Sequence, residues 1–442
     1  MSNNFDNSAL QRAAEIALEE AKKQGASAAE AGVNHSKGLS VTVRQGDVET
    51  LEHNNDKSLG LTVYFGQSKA SASTSDLSDK AIVDAVTAAC GIAKHTQADE
   101  YAGLADADLM ATEFPDLSTY HQWDLDAEQA IEIATECELA GFDTDKRISN
   151  SEGASVSSHQ GGRVYANSHG FIGSSKGTRH SISCSLISQD DKGMQRDYWY
   201  SVARDAQDLE TAASVGQRAA KNTLSRLNAK PIATGSYPVI FAADIAPSLF
   251  GQLTSAINGN ALYRKSSFLL DHLGKQIFPE FVHIHEQPYL LKGLGSSAFD
   301  SEGVATQARD IIRDGVLQGY VLDSYSARKL KMSTTANAGG VHNLTVESGD
   351  LNFAAMLREM DKGILISETM GMGINIVTGD YSQGAAGFWV ENGEIQYAID
   401  EFTIASNLRE MFLGIRAIGN DLEQRGNTIV GSVLIDKMMV AA

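Results

Sequence analysis

The chain is predicted to adopt an α+β fold, with a duplicated helix/antiparallel-sheet N-terminal half followed by a mainly antiparallel β C-terminal domain with a few helices. Three observations predict it. Apolar residues alternate with a period of two between Leu39 and Phe65, amphipathic helical stripes flank that stretch and recur after residue 125, and two Asx-Gly turn dipeptides punctuate the second half. With 442 residues, 42% of them hydrophobic, the chain exceeds what one core organises, and it divides into units at 1–125, 126–229 and 230–442.

Ser8 to Gln24 reads as the first helix, because Leu10, Ala14, Ala17, Leu18 and Ala21 form one stripe and Gly25 ends it. Leu39, Val41 and Val43 then alternate with polar residues, Gly46-Asp47 offers a turn, and Leu59, Leu61, Val63 and Phe65 resume the alternation. Ser78 is placed to cap a helix whose Ile82, Val86, Cys90 and Ala93 share a face. Thr96 to Asp124 is acidic, weakly patterned and reads as a connection. The order then repeats, with a helix from Asp126 to Ala140, Gly- and Ser-rich strands between Arg147 and Val202, and a helix from Asp208 to Leu227. In the last unit Val239 to Ala243 is a short strand and Pro247 starts a helix running to about Asn258. Asp314-Gly315 and Asn392-Gly393 mark two hairpins with the residues that positive-φ turns demand.

Composition narrows the function classes. Fifty-six acidic against 36 basic residues leave a net charge of −20, a field that repels phosphate backbones and argues against direct nucleic-acid binding. The basic clusters Arg264-Lys265 and Arg328-Lys329-Leu330-Lys331 are short enough to be solvated faces, though either would suit an anionic group. The first residues lack a basic, then apolar, leader pattern, and no apolar stretch approaches the ~20 residues that span a bilayer, so a cytoplasmic protein without membrane contact is expected. Cys90, Cys137 and Cys184 are odd in number and widely spaced, which fits buried reduced thiols.

Few residues offer chemistry. His283 and His285 are the metal candidates, since a spacing of two on a strand points both imidazoles to one face; a third ligand would come from elsewhere, such as His272 or His342. The ordinary alternative is a hydrogen-bonded surface pair. Gly293-Leu-Gly295 and Gly371-Met-Gly373 fall short of phosphate-loop patterns, no GxSxG elbow is present, and Ser266-Ser267 beside Lys265 would diverge rather than meet.

Several longer runs occur together: Ala261–Leu270, Lys292–Ser296, Ser324–Leu330, Thr334–His342, Gly387–Ile395 and Gly193–Ser201. Over nearly the whole chain they resemble the TldD/PmbA family, and within it the branch that pairs with a TldD-type catalytic subunit. The resemblance implies a heterodimeric peptidase acting on unfolded peptides, including microcin precursors and an antitoxin, and a historical role as modulator of DNA gyrase. In the family the catalytic subunit carries HExxxH on a helix and a cysteine near the C-terminus as zinc ligands. The matching positions here are Gly251, Gln252 and Ala256, and every cysteine lies before residue 185. Neither Gly nor Ala binds zinc, and Gln is no general base at neutral pH. No catalytic residue is therefore expected in this chain, no cofactor, and zinc only in the partner subunit.

The expected role is that of a non-catalytic subunit whose Gly-rich strands, Thr334 to Val341 and Gly371 to Gly387, pair with extended peptide, with Arg264, Lys265, Asn337, Gly339 and Gly340 as peptide-binding candidates. A homodimer is expected when the partner is absent. The alternatives are an independent metallopeptidase using His283 and His285, and a non-hydrolytic binding partner of gyrase.

Overall fold

The computed structural model describes residues 7–441. The N-terminal half is built on one antiparallel sheet of six strands: β1 (Ala28–Arg44), β2 (Asp47–Phe65), β3 (Ser68–Thr74), β4 (Ile148–Asn167), β5 (Ile172–Asp190) and β6 (Gly193–Ala203). Its order, β3-β2-β1-β4-β5-β6, sets two three-stranded meanders edge to edge. Helices α1 (Ser8–Lys23) and α2 (Asp79–Ala93) bury Leu10, Ala14, Ile82 and Val86 against Val33, Leu61 and Val63, while α3 (Ala127–Phe142) and α4 (Ala212–Ser225) cover Val41, Val156 and Leu186. Val33 and Val41 have the same parity on β1, so both helix pairs lie on one face of the sheet. Each expected unit thus contributes helix, three strands and helix to a shared sheet.

Local signals explain the helix starts. Ser78 accepts a hydrogen bond from the Ala81 N–H, and Asp126 forms a capping box with Gln129. Three expectations need correction, and one strand was not expected at all. The first turn is Gln45-Gly46, at φ 54° and 81°, one residue earlier than the sequence predicts. Strand β3, Ser- and Ala-rich and alternating only between exposed and half-buried, carries no apolar signal. Helix α4 begins at Ala212, after a single 3-10 turn at Ala206–Asp208. Thr334 to Val341 is no strand, because Ala336, Gly339 and Gly340 take φ values of 58°, 102° and 117° that break extended backbone.

The C-terminal domain has two sheets. Strands β7 (Gly235–Phe241), β12 (Gly363–Met370), β14 (Asp380–Glu391), β15 (Glu394–Asn407) and β18 (Val433–Ala441) close on themselves, since β12 pairs with both β7 and β14; the short β13 (Ile374–Asn375) and β16 (Ile415–Ile418) attach to β14 and β18. The second sheet runs β10-β9-β8-β11-β17, with β8 (Ile284–Glu286), β9 (Arg309–Arg313), β10 (Val316–Leu317), β11 (Leu344–Val346) and β17 (Thr428–Ile429). Pairing is antiparallel except for β7 with β12 and β11 with β17. Both Asx-Gly hairpins form as expected: β9 and β10 flank Asp314-Gly315, and β14 and β15 flank Asn392-Gly393, all four turn residues having positive φ. A single core of Phe241, Phe250, Phe278, Ile284, Leu344 and Phe402 joins the two sheets to α5 (Pro247–Ala256). The remaining short helices are α6 (Gly259–Tyr263), α7 (Ser324–Leu330), α8 (Phe353–Met360) and α9 (Leu408–Leu413).

The uncovered face of the N-terminal sheet docks on this domain. There Glu30 accepts hydrogen bonds from the hydroxyls of Tyr64 (2.9 Å) and Tyr165 (2.7 Å), and Tyr165 and Phe171 pack toward Phe299. The basic run at 328–331 is spent partly on this docking: Arg328 donates to the carbonyls of Tyr101 and Gly103, and Lys329 lies 3.8 Å from Asp99.

Candidate functional site

Helix α5 starts at Pro247, where a missing N–H costs nothing, and its Leu249, Phe250, Leu253 and Ala256 face the core. The opposite stripe, Ser248, Gly251, Thr254 and Ser255, walls a cavity of about 820 Å³. Gly339 to Val341 form a second wall, and Arg425 to Thr428 a third, with Tyr200 of the N-terminal sheet reaching in.

The glycine wall is held from behind by a buried charge. Glu286, 1% exposed, accepts hydrogen bonds from Arg309 Nε (2.9 Å), Asn337 Nδ2 (2.7 Å) and the His342 N–H (2.6 Å). Arg309 also donates to Asn337 Oδ1 at 2.7 Å, and Asn337 Nδ2 to the Gly340 carbonyl at 3.1 Å. Paired and fully hydrogen-bonded, this carboxylate escapes the desolvation cost that would otherwise exclude it from a core.

The third wall ties the two halves together. The Trp199 ring on β6 lies between two guanidinium groups, Arg218 of α4 at 3.5 Å and Arg425 at 3.7 Å from its centroid, and its Nε1 donates to Glu210. Glu423 is 3.1 Å from Arg425 Nε and 3.7 Å from Arg218. Burial pushes the Glu423 carboxyl up from its ordinary range, against the pull of those two arginines. Arg425 Nη2 is enclosed without a hydrogen-bond partner among the described residues.

Of the sequence-predicted peptide-binding residues, Gly339 and Gly340 line the cavity and Asn337 lies buried behind them. Arg264 and Lys265, at the end of α6, are not among the lining residues; Arg264 Nε donates to the Tyr263 hydroxyl. His283 and His285 share one face of the second sheet, with ring centroids 6.1 Å apart. Their companion is Glu347. His272 and His342 instead bond main-chain carbonyls, of Leu270 in one case and of Gly295 and Ala336 in the other. The sequence reading missed Trp199, Arg218, Glu423 and Arg425; the only signal was Trp199 inside the Gly193–Ser201 run.

A zinc site of the HExxxH type does not fit this cavity. Space is open around Gly251, but Ala256 is fully buried in the core and turned away, and among the described residues no histidine or cysteine lines the walls. The three cysteines are buried in the N-terminal half.

Family models match three stretches: the PmbA/TldA metallopeptidase domain 1 at residues 29–93, the central domain at 120–227 and the C-terminal domain at 234–442. The chain is 49% identical over 435 residues to a Metalloprotease PmbA homolog of Haemophilus influenzae, spanning 98% of this chain and 96% of that one. It is also 49% identical over 432 residues to Metalloprotease PmbA of Escherichia coli O157:H7, again spanning 98% and 96%. A Metalloprotease TldD homolog of Haemophilus influenzae is 23% identical over 224 residues, 48% of this chain and 46% of that one. Among solved structures, a Bacteroides thetaiotaomicron protein described as a modulator of DNA gyrase superposes with a TM-score of 0.93 at 28% identity, over 98% of both chains. TldE from Thermococcus kodakarensis shares the fold, with a TM-score of 0.82 at 19% identity over 97% of this chain and 100% of that one.

Proposed function

The chain belongs to the PmbA/TldD metallopeptidase family, and from that premise we propose that it is the non-catalytic subunit of a two-subunit zinc peptidase acting on unfolded peptides. The observation behind this reading is the cavity beside α5: it has the size of a binding site, yet Gly251, Gln252 and Ala256 stand where the family resemblance puts metal ligands and base, and among the described residues no imidazole or thiolate lines it. A TldD-type subunit supplies the zinc and the activated water. This chain supplies wall, orientation and water exclusion.

The cavity suits extended backbone. β17 is an edge strand whose Thr428 lines it, so a peptide can add beside it through main-chain hydrogen bonds, and Gly340, with open space where a side chain would stand, leaves room for close approach. Folded substrates have no free strand to offer and are cut only after opening. An independent peptidase at His283 and His285 would have to work apart from this cavity, because neither residue lines it. No helix among the described residues is long and apolar enough to cross a membrane. When the partner is absent, a two-fold homodimer through the C-terminal domain is the expected state, and light scattering that reports a monomer at micromolar concentration overturns it.

The decisive experiment measures cleavage of a disordered peptide by this chain, by its TldD-type partner, and by the mixture. Activity should need the mixture. A partner as fast alone as in the pair refutes the role.

A further inference from the structure

We propose that His283, His285 and Glu347 form a binding site for one divalent transition-metal cation of the zinc type, on the outer face of the second sheet and apart from the cavity.

The donors are brought together by strand pairing. β8 and β11 run antiparallel with Ile284 opposite Val346 and His285 opposite Thr345, which carries His283 opposite Glu347; the Glu347 N–H indeed donates to the His283 carbonyl at 3.0 Å. Directly opposed residues share a face, and His285 shares it with His283 by the period of two. The ligand atoms of all three residues lie within 4.8 Å of one another. The strand has little freedom to turn these rings away. Ile284 and Glu286 alternate with the histidines and are buried on the opposite face, one in the core and the other in its clamp with Arg309 and Asn337.

A second observation points to a metal rather than to a plain hydrogen-bonded pair. His283 Nε2 donates to Asp310 Oδ1 at 3.0 Å, and Asp310, on β9 on the other side of β8, is itself paired with Arg313. A carboxylate that takes one ring N–H fixes the tautomer and leaves the other nitrogen, here Nδ1, as a ligand, which is the usual outer partner of a metal-bound histidine. His285 Nδ1 and Glu347 Oε1 stand 3.5 Å apart, too far for a good hydrogen bond. A cation held at about 2.0–2.2 Å from each donor would sit between them. Two imidazoles and one carboxylate prefer zinc, cobalt or nickel to magnesium or calcium, which demand oxygen. Glu347 is half exposed, so solvent can complete the coordination.

The metal would tie β8 to β11, the strands whose other face and continuation hold the glycine wall and β17. Its role is to brace the domain, and the claim stands whether or not the subunit reading holds.

The test titrates the chelator-treated full chain with Zn²⁺ alone and, separately, with Mg²⁺, by calorimetry. One zinc per chain is expected, with no comparable uptake of magnesium. Glu347→Gln, a change at an exposed position, should weaken zinc at least about 10-fold, and His283→Ala with His285→Ala should abolish it. Zn²⁺ should raise the melting temperature of the parent chain and leave that of the double variant unmoved. Failure of the parent chain to bind, binding that survives the double substitution, or equal uptake of Mg²⁺ overturns the proposal. Peptidase assays of the mixed subunits report on the other reading, so the two fail separately.

Discussion

Glu302 offers a direct reading of how the two halves are held. It lies in the C-terminal domain beside the face on which Tyr64 and Tyr165 meet Glu30, and its Oε2 accepts the Ser324 N–H at 2.9 Å. Burial pushes its pKa up from 4.5 to about 7; the Ser324 hydrogen bonds oppose the rise and the carboxylates of Asp300 and Asp323 add to it. At 1.36 kcal/mol per pH unit, that interval amounts to about 3 kcal/mol set against the folded state once Glu302 ionises. The sign follows from the raised value. Below pH 4.5 the group is protonated folded and unfolded, so it carries no penalty; between pH 4.5 and about 7 the unfolded chain releases the proton first, and the penalty is complete above that. Glu302→Gln keeps an acceptor for the Ser324 amide and removes the charge. Urea unfolding followed by tryptophan fluorescence should find the variant close to the parent at about pH 4.5 and more stable by up to about 3 kcal/mol at pH 8. A difference between the two proteins that is the same at both pH values refutes the argument.

Gly251→His should fold with near-parental stability, because space is open there, whereas Ala256→His should cost about 2–4 kcal/mol by overpacking a fully buried position with a polar ring; thermal unfolding separates them. Gly251→His, Gln252→Glu and Ala256→His together should yield no casein hydrolysis with or without added Zn²⁺, and turnover above that of the parent chain would reverse this reading. Trp199→Ala, which removes the ring between Arg218 and Arg425, should destabilise the chain by about 3–5 kcal/mol and increase hydrogen exchange along β6 and the Glu423–Thr428 segment. Glu286→Ala leaves the half-buried Arg309 without its carboxylate and the Asn337 and His342 donors without their acceptor, so a loss of about 2–4 kcal/mol with loosening of the Asn337–Gly340 loop is expected in denaturant and hydrogen-exchange measurements.

Local chemistry was enough, from the sequence alone, to determine the elements that are specified locally. Ser78 and the Asp126–Gln129 pair mark helix starts because side-chain oxygens satisfy free N–H groups within one turn, and Asn392-Gly393 marks a hairpin because those residues tolerate positive φ. The absence of zinc ligands at Gly251, Gln252 and Ala256 was readable in the same way, since it depends on residue identity. Tertiary structure alone decided the rest. Strand β3 is held by pairing with β2 rather than by an apolar face of its own, so no periodicity announces it. The partner of His283 and His285 is Glu347, some sixty positions away, chosen by the register of β8 against β11. Arg425 reaches the Trp199–Arg218 pair only when the two halves dock. That Ala256 turns into the core while Gly251 faces the cavity also belongs to packing: α5 rolls to bury Phe250 and Leu253, and the direction of every other side chain on it follows from that burial.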